Sequence, residues 1–255
     1  MARRLGKKKQ KRREEYMLKE KQKVEEGMLD EKTAIMIGKL FARKLISRIN
    51  FIIAKGKEAD LYVADPGEKL QDTEQVVVKI FRIETSNFGK RVDYINGDPR
   101  FEGIGKNLRN IVYVWCKKEY GNLNIAKEAK VHAPTPYSFI GNVLAMEFIG
   151  TDGRAAPILR DVMLENPKKV FKTIKDDMRK LYAHELVHGD ISEYNILIKE
   201  GTPYLIDFGQ AVTIAHPNAA DFLRRDIANI SHYFKKTYGI ETDEDEMFTY
   251  ITSSK

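Results

Sequence analysis

Two acids and an amide fall within 18 residues of one another: Asp190, Asn195 and Asp207, in the stretch LVHGDISEYNILI and, after a short turn, YLIDFG. Apolar runs at 195–198 and 204–206 flank Glu200-Gly201-Thr202-Pro203, a pattern that predicts an antiparallel hairpin. Asn195 and Asp207 stand six residues either side of Gly201. Pairing about that glycine brings both oxygen-bearing side chains to the open end, on strands roughly 5 Å apart. Two such oxygens suit Mg2+, which takes one or two protein ligands and completes its shell with substrate phosphates. The competing reading is an ordinary polar hairpin end.

A phosphate substrate also needs a protein cation and a frame to hold it. The run at 75–81 reads QVVVKIF, a strand whose Lys79 interrupts a buried series and so needs an anionic partner; a lysine on an edge strand is the alternative. A helix from about Leu108 to Ala129 carries Leu108, Ile111, Val112, Trp115, Leu123 and Ala126 on one face. Glu119 falls on that face, which predicts a Lys79–Glu119 pair; otherwise Glu119 snorkels outward beside Lys117 and Lys118. Earlier strands at 50–54 and 61–64 are joined by Lys55-Gly56-Lys57-Glu58-Ala59, a loop able to lay backbone N–H groups over phosphates or to be a plain turn. Gly141-Asn142 turns a further hairpin, giving five strands around one helix.

Outside this frame, Asp30 caps a helix to about Ser47, with Ala34, Ile35, Ile37, Leu40, Phe41, Leu45 and Ile46 inward. Asn166-Pro167 starts another helix, and the tail from Asp221 reads as helical. The glycine-rich connection at 82–107 is long enough to be functional or disordered, and holds Thr85, Ser86 and Tyr94 as candidate phosphoacceptors.

Composition narrows the class. Of 255 residues, 42% are hydrophobic and 32% charged, no run approaches a membrane span and no secretory h-region opens the chain, so a cytoplasmic protein without a membrane partner is expected. The single cysteine, Cys116 beside Trp115, reads as core and excludes an intramolecular disulfide and a multi-thiolate metal site. Residues 1–23 hold eleven Lys or Arg against three Glu, so this arm carries +8 and the rest of the chain −1 of the net +7. Such an arm suits phosphate-backbone contact through counterion release, or is simply a solvated tail.

A glycine-bearing hairpin, a strand lysine, a helix glutamate, Asp190 with Asn195 five residues on, and Asp207-Phe208-Gly209 match the protein-kinase signature in order and spacing. In that scheme Lys79, paired to Glu119, holds the α- and β-phosphates, Asn195 and Asp207 hold the metal, and Asp190 orients or deprotonates the attacking oxygen. Departures are equally informative. His188-Gly189-Asp190 lacks the usual arginine, Ser192 stands where a lysine is usual, and 46 residues after Gly209 leave no room for a peptide-docking subdomain.

Over about 54–234 the chain resembles the RIO family of atypical serine/threonine kinases, in the branch without an N-terminal winged helix. The resemblance is carried by AKGKEA, VVVKIFRIETSNF, YINGDPRF, WCKKEYGNL, MEFIG, VHGDISEYNIL, IDFGQAV and HPNAADFLRRDIANI. It implies an α+β fold: a bilobal, trimmed kinase with a five-stranded N-lobe at 49–149, one helix, and a small, mostly helical C-lobe at 150–255. The arm at 1–26 and a packed helix at 27–48 precede them. It also implies ATP with Mg2+, or Mn2+, bound by the loop of Lys55, Gly56 and Lys57, by Lys79 and Glu119, and by backbone groups of Glu147 and Ile149 against adenine. Autophosphorylation, ATPase activity, an aspartyl-phosphate on Asp207, and a role in small ribosomal subunit maturation, with its precursor and ribosomal RNA as partners, complete the expectation. Ala54-Lys55 replace the family's frequent Ser-Thr. Rivals are a small-molecule kinase of the aminoglycoside or choline type and an RNA-binding scaffold with a vestigial nucleotide site.

Overall fold

In the computed structural model, which describes residues 30–83, 94–95, 98–101, 107–151 and 153–253, Asp30 caps helix α1 (Glu31–Ala42) by accepting the Thr33 N–H at 3.1 Å. The basic arm and the hydroxyls of Thr85 and Ser86 lie outside the described residues. α1 stops at Ala42 rather than near Ser47, because Lys44 takes a left-handed φ of 60° that a helix cannot propagate. Leu45 and Ile46 are buried as expected, but Ile46 opens a strand. Ile35 points outward, 55% exposed, and Thr33 takes the inward place instead.

Five antiparallel strands follow: β1 (Ile46–Lys55), β2 (Ala59–Pro66), β3 (Val76–Phe81), β4 (Pro136–Ile140) and β5 (Val143–Glu147), in the spatial order β1-β2-β3-β5-β4. β3 is therefore central, and all six of its residues are buried. Its alternation splits them: Val76, Val78 and Ile80 pack with α1, while Val77 and Phe81 join the core beneath helix α2 (Leu108–Glu128). Lys79 shares the α2 face, which removes the edge-strand reading. Asn142, fully buried in the β4–β5 turn, donates to Phe81 O at 2.8 Å and to Thr33 Oγ1 at 3.0 Å, tying α1 to the sheet.

Beyond the short strands β6 (Gly150–Thr151) and β7 (Arg154–Ala155) come helix α3 (Pro167–Ala183), β8 (Leu186–Val187), β9 (Ile196–Lys199), β10 (Thr202–Leu205), β11 (Val212–Thr213), α4 (Ala219–Tyr238) and α5 (Glu244–Thr252). Asn166 caps α3 with Pro167 in its first turn, and Gly239 ends α4 at a φ of 66°. β8 pairs with β11 and β9 with β10. One apolar cluster runs from Val77 and Leu144 through Trp115 to Phe208, Phe171 and Ile230, so the two lobes share a core. Among the described residues no helix is long and apolar enough to cross a membrane.

Candidate active site

The hairpin forms with a shifted centre. Lys199 pairs with Thr202 and Ile196 with Leu205, so the turn is two residues, Glu200 and Gly201, both left-handed at φ 51° and 74°. Pro203 is a strand residue. Asn195 consequently faces Ile206, whose N–H donates to its carbonyl at 3.0 Å, and not Asp207. Asp207 itself takes a left-handed φ of 64°, which turns its side chain out of strand alternation. Aspartate tolerates that region better than most residues.

That turn brings Asp207 to Lys79. Lys79 Nζ donates to both Glu119 carboxylate oxygens at 2.8 Å and to Asp207 Oδ1 at 2.9 Å. Glu119 is 1% exposed, whereas the Asp207 side chain is 48% exposed. Burial alone would depress the Lys79 amine, but the Asp207 and Glu119 carboxylates outweigh it and hold the pKa above the ordinary lysine value. A permanent cation thus stands between a buried and an accessible carboxylate.

Asp190 closes the group. Asn195 Nδ2 donates to its carbonyl at 2.8 Å and to Oδ2 at 3.0 Å, and Gln210 Nε2 reaches the same Oδ2 at 3.1 Å. Burial first, and the charge of Asp207 second, push the Asp190 carboxyl up to about 6, within the useful range for a base near neutral pH. With the Asn195 nitrogen turned to Asp190, its Oδ1 and the Asp207 carboxylate are the candidate hard oxygens for a cation. Among the described residues no group of three or more His, Cys, Asp or Glu could hold a metal. Two hard oxygens without a cage fit Mg2+ or Mn2+ shared with substrate phosphates.

The glycine-bearing loop is tighter than expected. Lys55 ends β1 opposite Asp60, and the Gly56 N–H donates to Ala59 O at 2.9 Å, so it closes the turn rather than lying open to a phosphate. A Cβ on Gly56 would sit 2.9 Å from that oxygen. Lys57 follows at the tip, and Arg82 braces the base through Asp60 at 2.6 and 3.1 Å. At the end of β5, the Glu147 N–H donates to Thr135 O at 2.8 Å and Ile149 O accepts from Ala156 at 3.0 Å.

Several supporting residues escape a reading by motif. Asp226 on α4, 0% exposed, accepts from the N–H groups of Gly189 at 2.7 Å and Ile191 at 2.8 Å. Burial pushes its carboxyl up to about 7 against those bonds. Arg225 donates to Gly189 O and, at 3.2 Å, to the hydroxyl of Tyr94. Tyr94 also stacks on Phe222, with ring centres 5.0 Å apart, so this candidate phosphoacceptor braces the turn at Gly189 through Arg225. Gly189 adopts a φ of 76°, a reason for glycine where arginine is usual. His188, buried and held near 4 by desolvation, is neutral and lies edge-on to Phe208 at 4.6 Å. On α2, Lys118 is buried rather than exposed beside Glu119, and donates with Asn122 to carbonyls after Asp207. Burial depresses the Lys118 amine to about 7, yet both its protonation states retain hydrogens for two carbonyls. The spacing 115, 118, 122, 126 is itself helical and was the available signal.

Residues 60–247 match the RIO domain family. The chain is 40% identical over 233 residues to the RIO-type serine/threonine-protein kinase Rio1 of Haloferax volcanii, covering 91% of this chain and 79% of that one. It is 46% identical over 176 residues to the Rio1 kinase of Thermoplasma acidophilum, covering 69% and 92%. Among solved structures, the Rio2 kinase-ADP/Mg2+-phosphoaspartate complex from Chaetomium thermophilum superposes with a TM-score of 0.67 at 22% identity, covering 87% of this chain and 66% of that one, which shows a common fold. The α+β, trimmed kinase fold is thus present, and the chain belongs to the RIO family of atypical kinases.

Proposed function

We propose that this chain is a Mg2+-dependent enzyme that transfers the γ-phosphoryl group of ATP to serine or threonine hydroxyls, and to water through an aspartyl-phosphate on Asp207. The observation that carries it is Lys79, held by Glu119 at 2.8 Å while bonded to the accessible Asp207 at 2.9 Å. A buried, permanently charged lysine bonded to an accessible carboxylate is a seat for phosphates. Serine/threonine specificity is carried over from the names of the Rio1 relatives, and the phosphoaspartate from the Rio2 complex.

The residues divide the work. Mg2+ or Mn2+, when held by Asn195 and Asp207, would neutralise charge on the phosphates. Lys79 orients the α- and β-phosphates. The Glu147 carbonyl and the Ile149 N–H meet adenine, since the opposite groups of each are already bonded. The turn of Lys55, Gly56 and Lys57 covers the phosphates by its tip. In transfer to protein, a hydroxyl oxygen bonds to the γ-phosphorus, the bond to ADP breaks, and Asp190 takes the hydroxyl proton. In hydrolysis, an Asp207 oxygen attacks first and ADP leaves; water then cleaves the acyl phosphate as Asp190 takes its proton.

Two measurements test this. Calorimetry should show Mg-ATP binding that Asp207→Ala abolishes; no heat for the wild type refutes the proposal. Intact mass after incubation with Mg-ATP should show an added phosphate, and its loss in hydroxylamine assigns it to Asp207. We further assign maturation of the small ribosomal subunit as the setting, with residues 1–23 as the contact to ribosomal RNA. Removing them should flatten the salt dependence of RNA binding and spare ATP turnover.

A further inference from the structure

Helix α2 reaches the segment after Asp207 by four hydrogen bonds that phosphoryl transfer does not itself require. Lys118 Nζ donates to Gly209 O at 3.1 Å and to Ala211 O. Asn122 Nδ2 donates to Phe208 O at 2.8 Å and to Ala211 O at 2.9 Å. Both side chains are 0% exposed. Every one of these acceptors is a backbone carbonyl, so the amide of Asn122 must present its nitrogen, and its Oδ1 is left buried without a partner among the described residues. An orphaned acceptor is unfavourable, and the fold tolerates it here to keep both amide hydrogens on the turn. Trp115 blocks the remaining escape: a Cβ on Gly209 would lie 2.7 Å from its indole nitrogen.

The same helix carries Glu119, which holds Lys79, which holds the Asp207 carboxylate. α2 therefore grips Asp207 twice, once through its side chain and once through the backbone that follows it. The two grips do different things. The Lys79 bond draws the carboxylate toward a cation, whereas the carbonyl bonds hold the backbone that follows the left-handed turn at φ 64°, which sets the direction in which the carboxylate leaves the chain. Loosening that turn lowers the fraction of molecules with both metal oxygens in place, and the apparent metal affinity falls by the same fraction.

We infer that Lys118 and Asn122 are positioning residues for Asp207, a carbonyl-directed clamp that sets the enzyme's affinity for the divalent ion. The inference rests on Asp207 being a metal ligand, as proposed above. Its test is the Mg2+ concentration giving half-maximal ATP turnover, measured for the full chain beside affinity for Mg-free ATP. Lys118→Met and Asn122→Leu remove the donors at similar volume. Each should raise half-saturating Mg2+ about tenfold, while affinity for Mg-free ATP stays within about twofold. A lowered melting temperature with unchanged half-saturating Mg2+ would make the two residues ordinary packing and overturn the inference. Should Lys118→Met fail to fold, Asn122→Leu decides alone, because it removes no charge. A wild type whose turnover ignores Mg2+ would overturn the clamp together with the metal role of Asp207, whereas an unchanged variant beside a Mg2+-dependent wild type overturns the clamp only.

Discussion

Helices α2 and α4 each bury one carboxylate completely, Glu119 at 1% and Asp226 at 0% exposure, and set it against a different kind of partner. Glu119 faces a side-chain cation, Lys79, which goes on to Asp207 at the cleft. Asp226 faces only backbone on its two bonds, the N–H groups of Gly189 and Ile191. The backbone contacts of the two helices differ as well: Lys118 and Asn122 of α2 bring donors to carbonyls after Asp207, whereas α4 adds a buried acceptor, Asp226, for N–H groups around Asp190. The segment after Asp207 shows α2 carbonyls, which Lys118 and Asn122 meet with donors, whereas the turn at Asp190 shows α4 both poles of its peptide groups: Asp226 accepts from its N–H groups while Arg225 and Asn229 donate to its carbonyls. A buried charge held to a side-chain cation passes its hold on to a second side chain. One held to peptide N–H groups fixes a loop.

Substitutions can break this contrast. Lys79→Met with Glu119→Leu, an apolar pair, should lower ATP turnover about 10³-fold. Its urea midpoint should stay near wild type, because replacing both members of a buried ion pair is often neutral, whereas Lys79→Met alone strands Glu119 and costs about 3 kcal/mol. Retained turnover in the double variant would deprive Glu119 of its functional role. Asp226→Ala, which orphans two buried N–H groups, should cost about 2–6 kcal/mol in urea unfolding. Asp226→Asn keeps an oxygen for one of them and should recover part of that loss; an Asp226→Ala protein as stable as wild type would contradict the architectural reading.

Smaller effects sharpen the comparison. Asp190 is raised to about 6, so below that pH it holds the proton it must accept. The profile of kcat/KM should therefore fall with an acid limb near 6, about tenfold per pH unit, and Asp190→Asn should show neither the limb nor the rate. A limb that persists in Asp190→Asn would assign it to another group. Gly189→Ala should cost only about 1–2 kcal/mol, from a side chain at φ 76°. Its Cβ would also approach Gln210 O to 3.3 Å, so turnover should fall with stability. No change in either would leave the glycine at that place unexplained.

Much of the site was legible because its signals are local. Lys79 interrupts a strand pattern, Glu119 falls on an apolar helix face, and Asp190, Asn195 and Asp207 stand close in sequence around a turn. Legibility failed where the outcome depended on one dihedral or on a distant neighbour. Left-handed Lys44 ended α1 early, and a two-residue turn at Glu200-Gly201 moved Asn195 opposite Ile206. Lys118 repeats on the α2 stripe as Glu119 does, but a charged side chain beside Lys117 reads as solvated until the chain after Asp207 is laid against it.

Most elements, the order of the candidate phosphoryl-transfer residues and the family resemblance can be read along the chain, since periodicity, caps and motif spacing act within a few residues. Which peptide groups the turns at Asp190 and Asp207 present to their neighbours, and so why α2 carries Lys118 and Asn122 while α4 carries Asp226, emerges once the helices are packed against them. Periodicity records that a side chain is buried. What it is buried against is fixed by segments some 35 to 93 residues away, and no local signal carries that information.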